Sequence, residues 1–69
     1  MTVKELTELL LLNMRAVELE AGETLHDRWI NLCENTIPYD HALEAGMTEA
    51  DALVAIDAID AMFERGELS

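Results

Sequence analysis

Apolar residues recur along this chain at the i, i+3/i+4, i+7 spacing of helices that bury one face. The pattern is strongest over residues 47–65. At about 100° per residue, Ala52, Ala55, Ile56, Ile59, Met62 and Phe63 fall on one side of that helix. Alanine recurs through the stretch and adds the best intrinsic helix propensity. Thr48 is placed to cap its N-terminus, accepting from the amide of Asp51 while the Asp51 carboxylate reaches back. Gly66 is the natural exit.

The same logic predicts a first helix over residues 2–20. Thr2 and Glu5 form its capping box, and Val3, Leu6, Leu9, Leu10, Met14 and Val17 form its core face, with Asn13 near the edge. Leu12 and Leu19 point the other way and Leu11 sits between the two faces, which leaves them for other helices, a second copy of the chain or a partner. A break at Ala21-Gly22-Glu23 leads to a second helix over residues 24–35. It is capped by Thr24 and Asp27 and packs through Leu25, Trp29, Leu32 and Cys33, with His26, Asp27, Arg28, Asn31 and Glu34 mostly outside. Pro38 disfavours helical geometry at Ile37 but suits the first turn of a new, short helix. That element is expected to face inward through Tyr39, Ala42 and Leu43 and to close at Gly46. Caps and periodicity agree at Thr2, Thr24 and Thr48, and consistency between levels is stronger than any one box. The expected fold is all-α: a small single-domain bundle over residues 1–69, with three main helices, one short helix, tight turns and no sheet.

The polar side of the last helix is a row of carboxylates. Asp57, Asp60 and Glu64 lie within about 60° of one another, and Glu49 and Glu67 continue the row if the helix extends that far. Asp57 and Asp60 are about 4.5 Å apart along the axis, and Asp57 and Glu64 about 10.5 Å. These intervals are broadly comparable to the charge spacing of a duplex, roughly one phosphate per 1.7 Å with both strands counted. Like charges at i, i+3/i+4 cost a few tenths of a kcal/mol per pair, about 0.2–0.5 in isolated helices. Most acidic helix faces are simply solvated, and on this helix alone that reading is favoured over a surface shaped for a basic groove.

Composition sharpens the picture. Fifteen Asp and Glu against four Lys and Arg give a net charge of −11 over 69 residues. Nucleic acid and anionic membrane both need a positive patch, so direct binding to either is disfavoured and basic partners are favoured. Apolar content of 51% supports a core, and with Trp29, Tyr39 and Phe63 as the aromatic residues that core must be largely aliphatic. A single cysteine, Cys33, rules out an intramolecular disulfide and fits a reducing cytosol. The N-terminal residues lack signal-peptide character and no apolar run approaches the ~20 residues of a membrane span, so a cytoplasmic protein is expected.

The pattern carries no catalytic or ligand motif. The sole serine is Ser69, no glycine-rich phosphate loop occurs, and a bundle this small is expected to hold little room for a pocket of ~300 Å³ or more. His26 and Cys33, and the group Asp40, His41 and Glu44, match no zinc or calcium ligand spacing. The short helix, glycine turn and long helix have the outline of a helix-turn-helix, but Glu49 and Asp51 at the reading end would repel phosphate. No enzyme, cofactor or metal is expected.

In type, though without a shared motif, the chain resembles phage- or plasmid-encoded proteins that block host nucleic-acid-binding machinery, anti-CRISPR proteins among them. The resemblance implies a non-catalytic inhibitor in the host cytoplasm, whose partner is a basic, nucleic-acid-binding protein. The expected partner-binding residues are Glu49, Asp57, Asp60, Glu64 and Glu67, with Glu18, Glu20 and Glu23 as a second patch. The contrasting expectation is a structural or adaptor module that forms a homodimer or docks through Leu11, Leu12 and Leu19, its acidity serving solubility alone.

Overall fold

Three threonines open three helices in the same way. A computed structural model describes residues 1–16 and 18–68, and among these it contains four α-helices and no strand. They are α1 (Val3–Arg15), α2 (Leu25–Glu34), α3 (Ile37–Glu44) and α4 (Glu49–Glu64). The fold is the expected small all-α bundle. At α1, Thr2 Oγ1 accepts from the Glu5 amide at 3.1 Å, and Glu5 Oε1 accepts from the Thr2 amide at 3.0 Å. Thr24 with Asp27 and Thr48 with Asp51 repeat the reciprocal pair at α2 and α4. Each box satisfies amides that the first helical turn leaves without intrahelical partners.

Helix ends are set as locally as helix starts in two cases. Gly46 (φ +76°) and Gly66 (φ +74°) take the left-handed conformation after α3 and α4. The Met47 amide then donates to Ala42 O at 2.8 Å and the Glu67 amide to Met62 O at 2.9 Å, the six-to-one bonds of a Schellman turn.

The first helix ends earlier than its periodicity predicts, at Arg15 rather than residue 20. Arg28 of α2 meets that end. Arg28 Nη1 donates to Met14 O at 3.0 Å, and Nη2 donates to Glu18 O at 3.0 Å and to Glu23 Oε1 at 2.8 Å. Met14 O is the carbonyl that a continuing helix would pair with the amide four residues on. A guanidinium occupies it instead, at the end of the helix where a cation is electrostatically favoured. Glu20 and Glu23 close a tight turn beyond it, through Glu23 N to Glu20 O at 3.0 Å. Leu19 therefore lies outside the helix that was expected to align it with Leu12, and Val17 is outside the described residues.

One core joins the helices. Leu6, Leu10 and Met14 of α1, Trp29 of α2, Ala42 of α3, Ala52, Ala55 and Ile59 of α4, and Leu68 beyond it are buried together. The α1–α4 contact is the most extensive, and the alanines of α3 and α4 let backbones approach closely. Ala42 is buried on α3 as expected, but Leu43, also expected to face inward, is 54% exposed. No described helix is long and apolar enough to cross a membrane.

Candidate functional site

The α4 sequence puts Asp57, Asp60 and Glu64 on its outer flank, and all three are exposed. Their surroundings differ. Asp60 Oδ1 accepts a 2.7 Å hydrogen bond from Nε1 of Trp29, whose ring is buried. Glu64 stands in the last turn, where the helix dipole disfavours an anion, and no basic residue shares that turn. Arg65 follows it directly but pairs with Glu67, whose Oε2 accepts from Nε at 2.9 Å and from Nη2 at 2.6 Å.

Among the described residues the ion pairs are Arg65–Glu67 and Arg28–Glu23. Glu67 and Glu23 are thus partly neutralised, while the Asp57–Asp60–Glu64 group is left without a cationic neighbour at ion-pair distance. Exposed Glu18 and Glu20 lie beside Glu23, on the turn after α1. Glu49 opens α4, roughly 22 Å along the axis from Glu64 by the helical rise. There the dipole favours it together with Asp51. The expected row is one flank in angle and two groups in space.

Each group borders a surface cleft. The first, about 530 Å³, is lined by His26, Asp60, Phe63, Glu64 and Leu68. The His26 and Phe63 rings pack at 4.8 Å with a 54° tilt, so His26 is tied to α4 rather than simply solvated. The second, about 480 Å³, lies between α3 and α4 and is lined by Thr36, Tyr39, Asp40, Leu43, Glu49 and Leu53. Both exceed the volume expected for so small a bundle, because they are furrows between helices at the surface rather than cavities in the core.

The thiol of Cys33 is held above its ordinary value of 9.0, first by burial and then by the negative charge of Asp60. A cysteine so placed is a poor nucleophile at neutral pH. His41 Nε2 meets Asn13 Nδ2 at 3.0 Å, an α1–α3 link. Leu12 is 66% exposed, whereas Leu11 packs against the core.

Four of these residues have roles that the sequence pattern does not show. The pattern places Trp29 in the core alone; its indole N–H, which a buried tryptophan must place somewhere, is the available signal. Nothing in the pattern marks Leu43 and Leu53 as exposed, or Leu68, itself buried, as part of the C-terminal cleft. Comparison with protein-family models, with curated proteins and with solved structures finds no match.

Proposed function

We propose that this chain is a non-catalytic, protein-binding inhibitor whose acidic α4 flank competes with nucleic acid for a basic groove on its partner. One observation carries the reading: Asp57, Asp60 and Glu64 stay exposed on a single flank while nearby Arg65 is engaged by Glu67. Grouped like charges oppose folding of a small domain, and a cationic partner would relieve them. Association would be steered electrostatically and would weaken steeply with salt. An anti-defence protein of a phage or mobile element, such as an anti-CRISPR protein, is the most concrete member of this class.

The test is capture by the immobilised chain at low and high salt, with duplex DNA as competitor, repeated with the D57N/D60N/E64Q variant. The expected partner is released by salt and by DNA, is lost with the variant, and stops binding nucleic acid when the chain is added. A partner indifferent to all three treatments rules the reading out.

The exposure of Leu12 supports a second reading, an adaptor that docks or dimerises through that side of α1. It predicts that Leu12→Glu abolishes association while the carboxylate variant leaves it intact.

A further inference from the structure

We propose that the cleft between α3 and α4 is a docking site for an apolar side chain carried on a basic segment of a partner protein. The proposal rests on the reading of the acidic flank above and names the chemistry its partner must present.

Apolar and polar side chains share the lining of the cleft. Leu43 from α3 and Leu53 from α4, about half exposed, face it beside half-buried Tyr39. Isolated exposed leucines are ordinary; two from different helices converging on one concavity form a surface that gains by being covered. The volume, about 480 Å³, lies within the roughly 300–1,000 Å³ of clefts that hold ligands.

The charged lining residues select the occupant. Asp40 and Glu49 border the leucines, and neither is in the ion pairs formed among the described residues. An apolar group entering there carries its neighbours past two carboxylates, so Lys or Arg beside it is favoured and Asp or Glu repelled. A second copy of this chain fits poorly, since it brings a net charge of −11 and the same acidic lining. The charge likewise turns away nucleic acid and anionic membrane.

Position links the cleft to the acidic flank. Glu49, Leu53 and Asp57 follow one another at i, i+4 and i+8 on α4, so Leu53 interrupts a line of carboxylates. Leu53 and Asp57 are about 6 Å apart along the axis. A helical or extended segment with one apolar anchor and cations a turn away would engage both features at once.

Two synthetic lysine-rich peptides of equal charge test this, one with a central leucine and one with serine in its place, each titrated into the isotope-labelled chain. The leucine peptide is expected to shift the amides of Tyr39, Leu43, Glu49 and Leu53 and to bind several-fold more tightly. The L43N/L53N variant, both sites being exposed, should keep its melting temperature and bind the two peptides equally. If that variant unfolds, the shift map and the affinity ratio of the unaltered chain still decide. Equal affinity with shifts confined to Asp57, Asp60 and Glu64 overturns the cleft and leaves the acidic flank standing. Failure of both peptides to bind overturns both. Leucine-dependent shifts elsewhere overturn the cleft, as does dimerisation of the chain abolished by L43N/L53N, which would make a second copy the occupant.

Discussion

Trp29 on α2 donates its indole N–H to Asp60 on α4 at 2.7 Å, and this bond gives one member of the acidic flank a structural duty as well as a charge. The two roles separate by substitution. Asp60→Asn keeps an acceptor at Oδ1 and removes the charge, so stability should change by less than about 1 kcal/mol. Asp60→Ala strands a buried N–H and should cost about 1–3 kcal/mol. Denaturant unfolding followed by Trp29 fluorescence distinguishes them; equal losses would mean that the bond is not maintained in solution.

Arg28 supplies the second cross-element tie. Its guanidinium caps the end of α1 and pairs with Glu23, with only 15% of its side chain exposed. Arg28→Ala should destabilise the fold by about 1.5–3 kcal/mol, the range for hydrogen bonds to charged groups. Lysine, lacking the planar fork, should recover only part of this. Thermal melts of the two variants check the order, and an unaffected Arg28→Ala would show that residues beyond Arg15 end the helix unaided.

These two ties mark the boundary of what the sequence discloses. Starts at Thr2, Thr24 and Thr48 and exits at Gly46 and Gly66 depend on residues within one or two turns, and all were legible. The end of α1 was not, and the group that takes the Met14 carbonyl there arrives from another helix. The outward turn of Leu43 was hidden for a related reason: α3 has only two turns, too few for periodicity to fix how wide its buried face is, and it buries Ala42 but not its neighbour Leu43. Helical arithmetic located the acidic flank but could not tell that Glu67 is paired, that Asp60 is hydrogen-bonded, or that Glu49 belongs to a different cleft.

The capping box at α1 gives a pH dependence of definite sign. Hydrogen bonds from the backbone and side chain of Thr2 hold the Glu5 carboxyl below its ordinary value of 4.5. The lowered value in the folded state means that unfolding takes up a proton near and below pH 4.5. The contribution is therefore present above 4.5 and is lost as pH falls through the folded-state value. Replacing Glu5 with Gln should flatten this part of the acid limb, whereas Thr2→Ala keeps the backbone N–H that lowers the carboxyl most and should flatten it only in part, while weakening the cap by about 1 kcal/mol. Helicity measured through acid titrations tests both; identical acid limbs in all three proteins would remove the box from the account.

Thr36 carries a cost of a different kind. It is the non-glycine residue with positive φ among the described residues, at +58°, and it caps α3 without a side-chain hydrogen bond. A β-branched side chain is strained in that conformation. Asparagine tolerates it better, so Thr36→Asn should raise stability by up to about 1 kcal/mol. A drop in melting temperature would show that the hydrogen bond from Thr36 Oγ1 to Asn35 O, 2.7 Å, outweighs the strain.

Cys33 offers a chemical readout of the same α2–α4 contact. Burial raises the thiol above 9.0, and the Asp60 charge raises it further. The folded state thus holds its proton where the unfolded chain would release it, and stability should fall as pH rises past 9. At mildly alkaline pH, iodoacetamide should modify Cys33 more slowly in the native protein than in urea. Asp60→Asn should speed the native reaction by removing the charge, whereas burial keeps it slower than the denatured rate. Mass spectrometry of timed samples measures all three rates. Native and denatured rates that coincide would mean that α2 and α4 separate readily around the thiol, and that the cleft beside Phe63 is not a fixed feature of the surface.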